Sequence, residues 1–206
     1  MVGPAEMFTF FFVMLGPLKV FGPFAQRTRG IDDATTRRIA WWTFVVATLA
    51  AVAGGLLGSR MLIKWQVSIP ALTLTAGIIF FLVALRHLLE QYEPPHAVTP
   101  EVVPPSPIAA ACRLVFPIVL TPYGIAAVIA LLASSGGATR TATILLLLVV
   151  VMILNLLAMW FAKRILVGFT VMVLQILGAV LAVLQVALSV QIILTGLRSL
   201  GVLATQ

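Results

Sequence analysis

Thirty-three consecutive residues, Ile165 to Leu197, pass without an Asp, Glu, Lys or Arg. About 20 apolar residues cross the core of a bilayer as a helix. Four more runs are equally free of charge: Ile39–Ser59 (21 residues), Trp65–Leu85 (21), Leu114–Thr139 (26) and Thr141–Ala162 (22). Met7–Gln26, in which Lys19 is the lone charge, makes a sixth. An average globular chain is about half apolar and about a quarter charged; this one is 62% hydrophobic and 9% charged. The fold class expected is therefore all-α, a polytopic membrane protein of six transmembrane helices, with the lipid bilayer as its main partner. The connections are too short, under about 30 residues, to build a soluble core. The first run is expected to stay in the mature chain, because its amino-terminal flank has no Lys or Arg and proline interrupts it.

The charges set an orientation. Arg27, Arg29, Arg37, Arg38, Arg86, Arg113, Lys163 and Arg164 fall on one side of six spans, and Arg60, Lys64, Arg140 and Arg198 on the other. The positive-inside rule makes the first side cytoplasmic. A multi-pass protein of the bacterial inner (plasma) membrane with both termini on the periplasmic side is expected. Spread over loops in this way, the net charge of +7 sets topology and does not form a nucleic-acid face. Trp41, Trp42 and Trp160 near one interface and Trp65 near the other read as aromatic anchors. The single cysteine, Cys112, excludes an internal disulfide, and with His87 and His96 far from it no metal-ligand spacing exists. With no Ser/His/Asp set and no phosphate loop either, neither a cofactor nor an enzymatic activity is expected.

Residues 91–107, QYEPPHAVTPEVVPPSP, hold six prolines in seventeen positions. That composition suits an extended connector and opposes helix. It divides the chain into residues 1–90, residues 108–206 and the linker between them, with three spans in each half. An odd number of spans per half inserts the second half upside down, the arrangement of an inverted repeat. Three landmarks recur in order: Pro17-Leu18-Lys19-Val20 against Pro122-Tyr123-Gly124-Ile125, Thr36-Arg37 against Thr139-Arg140, and Ala76-Gly77-Ile78 against Leu177-Gly178-Ala179.

The first span of each half is broken, at LGPLKVFGPF (15–24) and VLTPYGIAAV (119–128). Proline removes a backbone donor and clashes with the preceding turn, so each break frees carbonyls and amides that lipid cannot satisfy. A lone break is a kink; two in corresponding positions of inverted halves point to a midplane binding site. Half-helix amino termini there suit an anion. The candidate substrate-binding residues are Gly16, Pro17, Lys19, Gly22, Pro23, Thr121, Pro122 and Gly124, the glycines for close backbone approach. Lys19 costs at least ~2.5 kcal/mol to place at such depth, so it faces protein or water, or else snorkels toward the cytoplasm. No run contains a carboxylate to pair with it.

In the last span Gln175, Gly178, Ala182, Gln185 and Ser189 fall within an arc of about 80° at 100° per residue. Such a stripe reads first as helix packing, with Gln175 as the candidate that lines a cavity. Asn155, Thr73 and Thr75 divide between the same two readings.

These residues resemble the MarC-type integral membrane proteins, which include archaeal small neutral amino acid transporters. The family's first-span motif, Asn-Pro-x-Gly-x-x-Pro-x-Phe, is similar to Gly16-Pro17-Leu18-Lys19-Val20-Phe21-Gly22-Pro23-Phe24, with both prolines and the phenylalanine kept and one extra residue between them. Its second-repeat motif resembles Thr121-Pro122-Tyr123-Gly124-Ile125, and the likeness continues through Arg37-Arg38-Ile39-Ala40, Ser68-Ile69-Pro70-Ala71-Leu72 and Val190-Gln191-Ile192-Ile193-Leu194-Thr195-Gly196-Leu197. The resemblance implies six spans as two inverted three-helix repeats, with unwound first and fourth helices meeting at a central site, and transport of small neutral amino acids. Gly16 stands where the family has Asn, and Lys19 where it has Gly; the added cation favours a more acidic ligand.

The function expected is secondary transport of a small amino-acid-like or anionic metabolite, with a proton or sodium as candidate coupling ion. The alternatives are a translocator of a phosphate-bearing lipid, with Lys19 and Arg113 guiding the headgroup, and a non-transporting membrane scaffold.

Overall fold

The computed structural model describes residues 3–90, 106–168 and 171–203. Most of the Pro-rich connector, 91–105, lies outside the described residues. The described chain is helical and contains no strand. Its helices are α1 (Pro4–Leu15), α2 (Phe21–Arg27), α3 (Asp33–Lys64), α4 (Ile69–Glu90), α5 (Pro107–Leu114), α6 (Pro122–Ala133), α7 (Ala138–Gly168) and α8 (Val171–Ser199). α3, α4, α7 and α8 each hold a stretch long and apolar enough to cross a membrane, while α1 and α6 are shorter apolar helices. Each half therefore runs in the same order: two short helices separated by a break, then two long helices.

Prolines that look like interruptions in the sequence are helix starts in the structure. Pro4, Pro107 and Pro122 each occupy the first helical turn, where the missing N–H has no partner to lose. Side chains complete these starts. Glu6 accepts from the Gly3 N–H at 3.0 Å, Ser106 Oγ from the Ala109 N–H at 3.2 Å and Thr121 Oγ1 from the Gly124 N–H at 3.2 Å. Asp32 caps α3 by accepting from the Thr35 N–H at 2.9 Å.

The bonds from the Thr35 backbone and then from its hydroxyl hold the Asp32 carboxyl below its ordinary value of 3.8. A carboxyl depressed in the folded state stabilises fully above its unfolded pKa, and loses that contribution as pH falls through the lower folded value. The stability difference between wild type and Asp32→Ala is thus expected to be constant near neutrality and to shrink below about pH 4. Thermal unfolding of both proteins across an acid series measures it.

The helices around the two breaks take the centre. Phe11, Met14 and Leu15 of α1, Val20, and Phe24 of α2 have no exposed surface, and they pack with Phe80 of α4, Tyr123 of α6 and Ile144, Leu148 and Met152 of α7. Irregular backbone is tolerated at membrane depth only where protein or a water-filled cavity surrounds it, so this burial is what the breaks demand. The long helices carry the lipid-facing surface: Trp41 and Trp160 are about half exposed, and Leu49, Leu82 and Leu146 more so. α3 and α7 pack together and each flanks the other half's pair of short helices: α5 and α6 lie on α3, and α1 and α2 on α7. α4 and α8 form the most extensive helix pair. Two glycines bring their backbones together, since a Cβ on Gly196 would lie 3.0 Å from Leu74 Cα and one on Gly77 3.0 Å from the Ile193 nitrogen. Dispersion, which drives helix association in lipid, rewards that closeness.

Candidate functional site where the two breaks meet

The first break is short. Gly16 is extended (φ −76°, ψ 173°), and Pro17–Lys19 form one 3-10 turn that leads through Val20 into α2. A Cβ on Gly16 would lie 1.8 Å from the Phe12 carbonyl oxygen, so only glycine permits this exit from α1. The second break is longer. Val115–Val119 form a π turn closed by Leu120 N–H on Val115 O at 2.8 Å, with Phe116 extended inside it. Thr121 is extended (φ −90°, ψ 150°) ahead of Pro122. Gly16-Pro17 and Thr121-Pro122 are therefore alike: an extended residue, which a following proline favours, then proline opening a helical segment.

Ending α1 at Leu15 leaves its last carbonyls without intrahelical donors. Side chains from three places supply them. The Lys19 ammonium turns back and donates to Met14 O and, at 3.4 Å, to Thr121 Oγ1. The Thr121 hydroxyl also donates to Met14 O at 3.4 Å. Asn155, from the middle of α7, donates through Nδ2 to Leu15 O at 2.7 Å and to Val151 O at 3.1 Å. A cation at a helix carboxyl terminus answers the negative end of its dipole. The same device serves the second break, where Arg27 at the end of α2 donates to Arg113 O near the end of α5 at 2.8 Å.

Beneath the ammonium lies an aromatic pair. Lys19 Nζ sits 5.5 Å from the centroid of the Tyr123 ring, and that ring stacks on Phe80 at 4.3 Å with 25° between planes. Cation and ring face attract, most strongly where both are desolvated. Gly124 lets the first break close on the second: a Cβ there would lie 2.4 Å from Leu15 Cδ2 and 2.8 Å from Thr121 Oγ1.

Met14 also borders a cavity of about 380 Å³ between α1, α4, α6 and α8. Met7, Phe10, Ala76, Ala127 and Ile192 make it largely apolar, and Glu6, Ser134 and Thr195 belong to the helix ends at one side of the bundle. Its hydroxyls are spoken for: Thr73 donates to Ile69 O, Ser134 to Ala130 O and Thr195 to Gln191 O.

Of the residues expected at the site, Gly16, Pro17, Lys19, Thr121, Pro122 and Gly124 come together at the junction. Gly22 and Pro23 lie in the first turn of α2, half-buried, and a Cβ on Gly22 would meet nothing within 4 Å. The side chain of Gln175 lies outside the described residues. Lys19 is half-buried and its ammonium does not snorkel; it is bonded to the helix that precedes it. Within the stripe on α8, Ala182 and Ser189 are buried, as packing contacts are. Sequence reasoning passed over Met14, Phe80, Tyr123 and the weight of Asn155. It also passed over Pro117, whose place in the π turn was legible as a second proline near Pro122, as Pro23 lies near Pro17.

Neither a curated protein nor a solved structure matches the chain. Residues 4–200 match the family model described as MarC family integral membrane protein, and since that is nearly the whole length, the chain belongs to the MarC family of integral membrane proteins.

Proposed function

We propose that this chain is a secondary transporter of a small amino-acid-like or anionic metabolite, received where the two broken spans meet. The observation that carries the reading is the junction itself: breaks about a hundred residues apart in sequence share one cation, one hydroxyl and one helix-end carbonyl at the centre of the bundle. A carboxylate arriving there would take the Lys19 ammonium from Met14 O and Thr121 Oγ1, with Gly16, Pro17, Pro122 and Gly124 shaping the surroundings. The cavity that reaches the junction at Met14 has a volume of about 380 Å³, in the range of small-molecule sites, and would serve as the approach to it.

The halves form an inverted repeat in this reading, supported by the reciprocal packing of α3 on α5 and α6 and of α7 on α1 and α2. The charge asymmetry of the loops supports periplasmic termini in an inner membrane. On that orientation the cavity opens outward, and rocking one repeat against the other would carry the junction to the cytoplasmic side.

Uptake by proteoliposomes across a panel of small amino acids and organic anions tests the proposal. Lys19→Met and Thr121→Val are each expected to weaken apparent affinity for anionic solutes roughly tenfold or more, the size of a lost charge-assisted hydrogen bond. No uptake of any solute would defeat the transporter reading; unchanged selectivity in Lys19→Met would remove Lys19 from it.

A further inference from the structure

We infer that the junction between the two breaks is a monovalent-cation site that this chain fills with its own lysine, so that the tethered ammonium takes the place of a free sodium ion. The ligands of such a site are those that hold Lys19 Nζ: the Met14 carbonyl at the negative end of α1 and the Thr121 hydroxyl at the start of α6, with the face of Tyr123 alongside. A helix-end carbonyl, a hydroxyl oxygen and a π face are all electron-rich, and none is an anion. They attract a cation without neutralising it, as suits a charge that must be released or shared during a cycle.

A second observation comes from α7. Asn155 is 1% exposed and has given its amide hydrogens to Leu15 O and Val151 O, yet its Oδ1 is buried with no hydrogen-bond partner among the described residues. A buried amide oxygen without a donor is costly and calls for an explanation. The amide nitrogen of the same group is bonded to Leu15 O, the carbonyl next to Met14, so among the described residues this helix end has acceptors in excess of the donors the chain brings. That is the character of a cation-binding end rather than of a simple packing contact.

The inference deepens the transporter reading by fixing its ion: the positive charge that accompanies an anionic group is covalently attached, and sodium is not required. It is nonetheless testable without transport. Thermal unfolding of the purified full-length chain in detergent is followed in choline, sodium and ethylammonium chloride at equal ionic strength. The wild type is expected to unfold at the same temperature in all three. Lys19→Ala is expected to unfold earlier in choline and to recover ~3 °C or more, saturably, with ethylammonium, the free counterpart of the lost side-chain end, and to respond to sodium as well. Adding Thr121→Val to Lys19→Ala is expected to abolish the recovery. Lys19→Arg, which keeps a tethered cation, is expected to remain indifferent to the salt.

A wild-type chain stabilised saturably by sodium would overturn the inference, since the site would then be free. So would a Lys19→Ala protein that matches wild type in every salt, or a Lys19→Arg protein that responds to sodium. If Lys19→Ala does not fold, the wild-type and Lys19→Arg measurements still decide. Failure of all uptake would defeat the transporter reading and leave these melting curves standing, whereas a salt-responsive wild type would refute the tethered cation and leave uptake untouched.

Discussion

Gly16→Ala is expected to lower the unfolding temperature of the purified protein by ~6–12 °C, the consequence of about 3 kcal/mol lost in a chain of this size. The added Cβ would sit 1.8 Å from Phe12 O. That neighbour is backbone in the last turn of a helix whose side chains Phe11, Met14 and Leu15 are fully buried, so no flexible end can yield. Any shift that relieves the clash moves Met14 O and Leu15 O, and with them the bonds to Lys19, Thr121 and Asn155. Gly22→Ala is the matched comparison: its Cβ meets nothing within 4 Å, and alanine is the better helix former by ~0.5–1 kcal/mol. It is expected to leave stability unchanged or slightly raised. Thermal unfolding of the two variants side by side measures the contrast. A Gly16→Ala protein as stable as wild type would mean that the end of α1 gives way freely, and the steric account of the break would fall.

Tyr123→Ala is expected to cost a similar amount, ~3–5 kcal/mol, the range for emptying a large aromatic from a packed interior. Three losses combine: the filled volume of a ring that is 1% exposed, its stack on Phe80 and its face beneath the Lys19 ammonium. Stacking accounts for ~0.5–1.5 kcal/mol and the cation–π contact for ~0.5–2 kcal/mol. Tyr123→Phe keeps the ring and is expected to keep most of the stability. A double-mutant cycle between Tyr123→Ala and Lys19→Met isolates the ammonium–ring contact. Independent, strictly additive effects of Tyr123→Ala and Lys19→Met would show that ring and ammonium are neighbours without being partners.

Much of the fold was legible because insertion into lipid is governed by local hydropathy. Four of the five charge-free runs correspond to the long helices α3, α4, α7 and α8, and the fifth and the run that holds Lys19 to the shorter helices around the two breaks. Proline chemistry is local as well, so Gly16-Pro17 and Thr121-Pro122 marked both breaks. The second break nevertheless begins earlier than that pattern suggests, at Val115, because Pro117 lies in a π turn ahead of Thr121. One proline was weighed where two act together. Gly16 and Gly22 looked equivalent as sites of close approach; the structure separates them, one pressed against a carbonyl and the other against nothing.

The candidate site was legible only as two lists of residues. Lys19 was readable as costly and without a carboxylate partner in any span, which favoured an anionic ligand or an escape to the interface. Its acceptors proved to be a backbone carbonyl five residues back and a hydroxyl 102 residues away. The prolines announced that carbonyls would be freed at the break, but which carbonyl is freed depends on where the helix actually ends, and the sequence does not mark that. Asn155 was one polar residue among several, until its amide was found on Leu15 O, 140 residues distant.

The sequence by itself determined that this is a multi-span helical membrane protein of the MarC family, with helix breaks at Gly16-Pro17 and at Thr121-Pro122, because charge, hydropathy and proline act over a few residues at a time. The tertiary structure alone decided that the two breaks meet, that Lys19 answers the end of α1, and that Tyr123, Phe80 and Asn155 complete the junction. Apart from Lys19 on Met14 O, five residues back, those contacts join residues far apart in the chain, and which of them form depends on how the long helices pack.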